Sequence, residues 1–106
     1  MPKFLVEATY TPQGYKGLVQ DKASGRKTAV AQAAKKLGGK LDAMYFCLGE
    51  NDVMLIVDLP DHVSAAALSS TACASGMVRT KTTVLLTVEE ADKAVSTGVA
   101  YRAPGA

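Results

Sequence analysis

The segment from Leu48 to Pro60, LGENDVMLIVDLP, places the strongest constraint on the fold of this chain. A short polar turn, Gly49–Asp52, is followed by the wholly apolar run Val53–Val57. A strand with one face in water alternates apolar and polar side chains, so an unbroken apolar run predicts a strand that is buried on both faces. Something must therefore cover the second face of the sheet to which this strand belongs.

The composition indicates one globular domain. The chain has 106 residues, of which 48% are hydrophobic and 21% are charged, and these are ordinary values for such a domain. The longest apolar run, Val53–Val57, is far shorter than the roughly 20 residues that cross a bilayer. Glu7 interrupts the N-terminal segment where a signal peptide needs an apolar block. We therefore expect a cytoplasmic protein without a membrane partner.

The residue types that bind metals are few and scattered. Cys47 and Cys73 belong to no CxxC motif and to no Cys/His cluster, so we expect two reduced thiols in the core. His62, the single histidine, lies at the predicted start of a helix and is interpreted as an exposed residue there. No glycine-rich phosphate loop is present. We expect no metal site and no cofactor.

Charge is distributed unevenly along the chain. Residues 1–40 contain eight Lys or Arg and two acidic residues, whereas residues 41–106 contain four and eight. We interpret the basic cluster as the solvated face of a helix; an anionic ligand, nucleic acid or the acidic half of a second subunit are the alternatives. No aromatic residues interleave with the lysines, so base stacking is unsupported and we expect no nucleic-acid partner.

Periodicity and breaking residues predict four strands and three helices. The strands are predicted over residues 3–11, 40–48, 53–59 and 77–87, and the helices over residues 24–37, 62–74 and 88–95. Residues 11–18 are predicted as a loop, because Pro12 and Gly14 break regular structure. Ser24 and Asp61 are predicted to cap the first and second helices. We take residues 1–95 as the folded domain and residues 96–106 as a loose C-terminal tail.

The order β-α-β-β-α-β is the α+β, ferredoxin-like arrangement, here followed by a short C-terminal helix. We expect the first and third strands to be central and parallel, with both larger helices on one face of the sheet. The other face is then open, and Val53–Val57 makes it apolar. Monomers rarely expose such a patch, so we predict a homodimer, or a larger assembly of such dimers, packed sheet against sheet.

These segments together resemble the GYD-domain family of small bacterial proteins over about residues 2–94. The resemblance rests on the opening PKFLVEATYT, on LGGKLDAMYF, on LGENDVMLIVDLPD and on the closing VRTKTTVLLT. It implies a dimeric α+β barrel of ferredoxin-like subunits. It implies no established activity.

The signature turn of Gly49, Glu50, Asn51 and Asp52 departs from the family at one position. Gly49 and Asp52 match, but Asn51 stands where relatives commonly have Tyr. We interpret the turn as structural, because Asn tolerates positive φ and bonds its own backbone. The alternative is that the Tyr does chemistry in relatives, which this chain would then lack.

Four polar residues on predicted strands are candidates for a ligand site: Glu7, Tyr45, Arg79 and Lys81. If they share one face, they would surround an apolar cleft, which is the composition of a small-molecule site. The alternative is that Arg79 and Lys81 protect an edge strand and pair with Glu7 or with the partner chain. One sequence cannot fix the register that decides between them.

Three functions stay open at this stage. We prefer a small-molecule binding or sensing module that uses the dimer cleft. A cofactor-free enzyme, of the monooxygenase or isomerase type, follows from fold analogy alone and needs a positioned acid/base pair. A structural or assembly protein would have no ligand, and its only partner would be a second copy of the chain.

Overall fold

One four-stranded sheet organises the chain, and the computed structural model describes all of residues 1–106. The elements in chain order are β1 (Lys3–Tyr10), α1 (Pro12–Lys36), β2 (Lys40–Phe46), β3 (Val53–Asp58), α2 (His62–Ala74), β4 (Val78–Leu85) and α3 (Val88–Thr97). The strands lie in the order β2-β3-β1-β4. The chain is therefore α+β, and its topology is that of the ferredoxin-like fold.

The core lies between one face of the sheet and helices α1 and α2. Alternate residues of the central strands are buried there, because successive side chains of a strand point to opposite faces. Alanines on the helices let the two layers approach closely. The core cluster consists of Phe4, Val6, Ala34, Leu55, Val57, Leu59 and Ala65.

The central strands β1 and β3 run antiparallel, so the prediction that they are parallel was wrong. Lys3 pairs with Asp58 and Ala8 pairs with Val53 in this ladder. The strand β3 is antiparallel to β2 as well. A helical crossover makes β1 and β2 parallel, and β3 returns from β2 through a hairpin, so β3 must run opposite to both of its neighbours.

The helix α1 begins twelve residues earlier than predicted, at Pro12 instead of residue 24. Thr11 is its N-cap, and the Thr11 side chain accepts a hydrogen bond of 3.1 Å from the Gly14 N–H. Proline is favourable in the first helical turn, where its missing N–H has no partner to lose. The predicted loop over residues 11–18 and the predicted cap at Ser24 were therefore wrong. Within α1, Lys22 has φ 67° and ψ 164° and kinks the helix.

The helix α2 has the predicted bounds, and its predicted cap is confirmed. The Asp61 carboxylate accepts a hydrogen bond of 2.8 Å from the Ser64 N–H. His62 is exposed at the first position of the helix, as expected. The strands β2, β3 and β4 end one or two residues before their predicted ends. None of the helices has the length and hydrophobicity needed to cross a bilayer.

The helix α3 projects from the rest of the subunit. Thr87 and Glu90 form a capping box at its start, and it ends at Thr97 instead of residue 95. Val88 and Val95 are 80% and 82% exposed. The radius of gyration is 16.6 Å, whereas a compact domain of this length has about 13 Å. The chain therefore has more surface than its core accounts for.

Both thiols are free, but they are not core residues. Cys47 is half-buried and Cys73 is exposed, so the prediction of two buried cysteines was wrong. Cys73 lies where α2 meets the edge strand β4, and no further layer covers it there. Its Sγ is 3.4 Å from the Thr80 hydroxyl oxygen, and this hydrogen bond lowers the pKa of the thiol.

Candidate functional site

The sheet face opposite α1 and α2, called the open face below, carries all four predicted site residues. Strand alternation puts Phe4, Val6 and Ala8 against the helices, so the intervening residues of β1 point the other way. The registers extend this assignment to the other strands. The open face includes Lys3, Leu5, Glu7, Thr9, Ala43, Tyr45, Met54, Ile56, Asp58, Arg79, Lys81 and Thr83.

One row of side chains crosses the whole open face. Tyr45 pairs with Met54, Met54 with Glu7, and Glu7 with Lys81. Three strand spacings separate the ends of this row, which is about 14 Å. Arg79 lies opposite Thr9, two residues along β4 from Lys81 and therefore about 7 Å away. The structure places Glu7 and Lys81 opposite each other on adjacent strands, and it places Tyr45 at the other edge of the sheet.

The centre of the open face is apolar. Leu5 on β1 and Met54 and Ile56 on β3 are half-buried, whereas Val53, Leu55 and Val57 on the other side of β3 are buried. The apolar run Val53–Val57, which predicted a strand buried on both faces, is therefore fully buried on one face only. The open face has an apolar centre between the β2 edge, with Tyr45, and the β4 edge with its two cations.

The turn between β2 and β3 contacts the site through Asn51. The Asn51 side-chain amide donates a hydrogen bond of 2.8 Å to the Glu7 carboxylate. Asn51 does not have a positive φ, because Lys22 is the only non-glycine residue that does. The reason expected for Asn at this position, tolerance of a positive φ, therefore does not apply. The Asn51 side chain fixes Glu7, and the interpretation of the turn as structural stays a prediction.

Asp52 ties the same turn to the end of β1. The Asp52 carboxylate accepts a hydrogen bond of 2.8 Å from the Tyr10 N–H, and its N–H donates to the Ala8 carbonyl at 2.9 Å. Its carbonyl accepts from the Cys47 N–H at 2.8 Å, which closes the loop. Gly49 and Glu50 lie exposed at the tip. The turn therefore holds a fixed position beside the open face.

The two cations on β4 have no carboxylate partner within the subunit. Arg79 and Lys81 are exposed, and neither forms an ion pair within 4 Å. Glu7, the nearest acid by register, is hydrogen-bonded to Asn51 instead. The pairing of Glu7 with Arg79 or Lys81 that we considered from the sequence is not formed. Two uncompensated positive charges thus border the apolar centre.

The charges at the other end of the open face are mutually satisfied. Lys3 bonds both Asp42 and Asp58, and its Nζ is 2.8 Å from the Asp58 carboxylate oxygen. The bond to Asp42, with that to Asp58, raises the pKa of Lys3, and the same ammonium lowers the pKa of Asp42. Asp58 is 7% exposed. This cluster is a closed network, unlike the pair on β4.

The arrangement offers charge and shape, but no preformed acid–base couple. Glu7 and Tyr45 lie two strands apart, with Met54 between them, and no hydrogen bond joins them. No group of three or more His, Cys, Asp or Glu side chains is placed to hold a metal ion. Within one subunit, these residues can bind an anion and orient it.

The structure also has a cavity on the helix side of the sheet, which the sequence did not predict. It is bordered by Tyr10 and Arg26 and is enclosed by apolar residues of the sheet, α1 and α2. Arg26 was not among the candidate site residues predicted from the sequence. The kink at Lys22 that separates Arg26 from the first half of α1 has no signal in the sequence, because Lys does not favour a positive φ.

The comparisons with known proteins give a family for the chain. The model of the GYD domain matches residues 4–95. No curated protein and no solved structure matches. The match covers every element from β1 to most of α3, including the turn and the open face.

Proposed function

This chain belongs to the GYD domain family, and from that premise we propose that it is a homodimeric module that binds a small organic anion. Two open faces would pack against each other and enclose the ligand in the cleft between them. The observation that carries the proposal is the pair of unpartnered cations, Arg79 and Lys81, beside an apolar centre. That combination suits a ligand with an apolar body and a negative group.

The surface of the subunit supports a second copy of the chain as its partner. The accessible area is 7467 Å², whereas a folded monomer of this mass exposes roughly 5,600 Å². The difference between these two areas is larger than the area of about 800 Å² that each partner loses in a stable interface. A two-fold dimer would cover the half-buried centre of Leu5, Met54 and Ile56 with the same residues of the other subunit. The projecting helix α3 adds further area that a partner could cover.

Within this cleft, the residues would have distinct roles. Arg79 offers a planar guanidinium that can hold a carboxylate or phosphate through two hydrogen bonds, and Lys81 adds a second charge. Glu7, held by Asn51, could accept a hydrogen bond from a ligand hydroxyl or amine. Tyr45, 67% exposed at the other edge, could contact the same ligand or the one bound by the partner.

Assembly without a ligand is the second candidate function. It is favoured by the position of Arg79 and Lys81 on an edge strand, where charges prevent uncontrolled strand pairing. In that case acidic residues of the second copy would neutralise the two cations. The two candidate functions predict different effects for a neutral residue in place of Arg79: loss of ligand binding in the first case and loss of the dimer in the second.

A thermal-shift experiment with a fixed set of organic carboxylates and phosphate monoesters separates these candidates. We expect at least one compound to raise the melting temperature of the wild type, since a ligand at 100 times its Kd adds about 2.7 kcal/mol. Arg79→Gln should remove that shift and leave the dimer intact. If Arg79→Gln instead dissociates the dimer, assembly is the better account, and if no compound shifts the wild type the binding proposal fails.

The control for this experiment is Arg102→Gln, in the segment that follows α3. Arg102 has the same charge and side chain as Arg79 but is exposed and belongs to none of the strands of the sheet. It should keep the shift produced by a ligand of the open face. Loss of the shift in both variants would point to general charge attraction instead of a site.

A further inference from the structure

We propose that each subunit holds a second ligand site between its helices and its sheet, for a short-chain aliphatic carboxylate. The apolar chain of the ligand lies in the cavity under α1 and α2. Its carboxylate lies against Arg26 and Tyr10 at the mouth. The site is complete within one subunit, so it requires neither the dimer nor the cleft of the open face.

The cavity exists because the two helices cover different parts of the sheet. The main contacts of α1 are with β2, and those of α2 are with β4. A space of about 80 Å³ stays open between them, over the central strands. Its walls are apolar, with Val6, Val53 and Leu55 from the sheet, Val30 from α1 and Leu68 from α2.

The size of the cavity limits what can enter it. A cavity of about 150 Å³ in another protein holds one benzene molecule, and this one is roughly half as large. It therefore suits a slender alkyl chain better than an aromatic ring. Ser69 and Thr80 also line the cavity, and their hydroxyl groups need no hydrogen bond from a ligand because they are bonded to each other.

Arg26 brings an incompletely neutralised positive charge to the mouth. Its side chain is 34% exposed, and its Nη1 is 3.6 Å from the Asp21 carboxylate, which is itself 47% exposed. That pair is long and solvated, so a carboxylate that reaches Arg26 can bond its free N–H groups. Arg26 borders both the cavity and the groove outside it.

Tyr10 supplies the second polar group at the mouth. Burial raises the pKa of Tyr10, although the neighbouring Arg26 guanidinium opposes this effect. The phenol therefore stays protonated at neutral pH and can donate its O–H. Its O–H can therefore donate a hydrogen bond to a carboxylate at the mouth.

The cavity has an entrance. Tyr10 and Arg26 also line an open groove of about 580 Å³ along the first half of α1, together with Lys16. The strained residue Lys22 lies between this groove-lining half and Arg26. Strained backbone persists only where its surroundings hold it, and it is common at ligand sites. A ligand can therefore enter chain-first from the groove and leave its carboxylate at the mouth.

The test is a methyl and amide NMR titration of the full chain with butyrate, whose short chain matches the cavity, and with butan-1-ol as the uncharged control. The two faces of β1 and β3 give an internal comparison, since Val6 and Leu55 face the cavity and Leu5 and Ile56 face away. We expect saturable shifts at Val6 and Leu55 with butyrate. We expect at least tenfold weaker binding of butan-1-ol.

Variants then assign the contacts. Arg26→Gln should weaken the binding of butyrate at least tenfold, and Tyr10→Phe should weaken it less. Ala72→Leu, which adds bulk where the cavity meets the groove, should abolish binding. Arg79→Gln should leave it unchanged, because Arg79 lies on the open face.

The outcomes distinguish this site from that of the open face. Shifts confined to Leu5 and Ile56, and lost in Arg79→Gln, would overturn the inner site and support the cleft. Equal binding of butyrate by the wild type and Arg26→Gln, or no saturable shift at Val6 and Leu55, would also overturn the inner site. If a variant fails to fold, the shift map of the wild type still decides. Binding at Val6 and Leu55 would stand even if the protein proved monomeric and the proposed cleft failed.

Discussion

Asn51 and Asp52 connect the β2–β3 turn to β1 through two different side-chain contacts. Asn51 donates to the Glu7 carboxylate, and Asp52 accepts from the Tyr10 N–H. Glu7 and the turn were predicted separately as a site residue and a signature. Their contact makes them one unit, in which the turn fixes the orientation of the only carboxylate in the row that crosses the open face.

The start of α2 depends on one carboxylate, and its stability should depend on pH. The hydrogen bond from the Ser64 N–H lowers the pKa of Asp61. Because the folded pKa lies below the unfolded one, the stabilisation is complete above the unfolded pKa and is lost as pH falls through the folded pKa. Asp61→Ala should therefore lower the melting temperature at pH 7, and its difference from the wild type should shrink as the pH falls below the reference Asp pKa of about 3.9.

Asp61→Asn is the matched control for this prediction. Asn caps helices about as well as Asp but does not titrate in this range. It should keep most of the stability at pH 7. The difference in melting temperature between Asp61→Asn and Asp61→Ala should stay the same in acid, whereas that between the wild type and Asp61→Ala should shrink. If both differences shrink equally, a group other than Asp61 causes the pH dependence.

The first half of α1 is held against β4 at Gly14. A Cβ on Gly14 would lie 1.9 Å from the Met77 carbonyl oxygen, whereas a Cβ on Gly17 meets nothing within 4 Å. Gly14→Ala should therefore destabilise the protein by about 3 kcal/mol or more, since backbone must move. Gly17→Ala should stabilise it by up to about 1 kcal/mol, because Ala favours a helix.

Urea denaturation at one fixed protein concentration measures both changes, so that any dimer contributes equally. Similar effects of the two substitutions would contradict the close approach of Gly14 to Met77. Both glycines lie within residues 11–18, which the sequence predicted as a loop.

The strands and α2 could be predicted because each follows a local rule. Alternation defined β1, and the apolar run Val53–Val57 defined β3. Asp61 after Pro60 marked the start of α2. The start of α1 could not be predicted in the same way, since Pro12 and Gly14 are read as breakers unless the tertiary contact with Met77 is known. The kink at Lys22 is also set by packing and not by local preference.

The sequence could predict which candidate site residues share a face of the sheet, but it could not predict which side chains contact each other. Period-two alternation correctly grouped Arg79 with Lys81, and the registers put Glu7 and Tyr45 on the same face. The partners of these side chains depend on register and on the turn, which a single sequence does not fix. The inner cavity depends on where two helices sit over the sheet, and no motif encodes that separation.

At the scale of the whole molecule, the subunit has a small core and a large surface. Only 11 of its 106 residues are buried, and large apolar side chains on the open face and on α3 are exposed or half-exposed. Burial of apolar area is the main stabilising term in folding and in association. A second copy on the open face would supply the burial that the subunit lacks.

The mass of the protein in solution, measured by light scattering at micromolar concentration, tests this most directly. We predict twice the subunit mass of 11.0 kDa, or a multiple of that dimer, for the wild type. Ile56→Lys should give the monomer, because it puts a charge at the centre of the proposed interface. Val63→Lys, an equal change at a 65% exposed position on α2, should leave the dimer intact. A wild type of 11.0 kDa, or an Ile56→Lys variant with the wild-type mass, would contradict dimerisation through the open face.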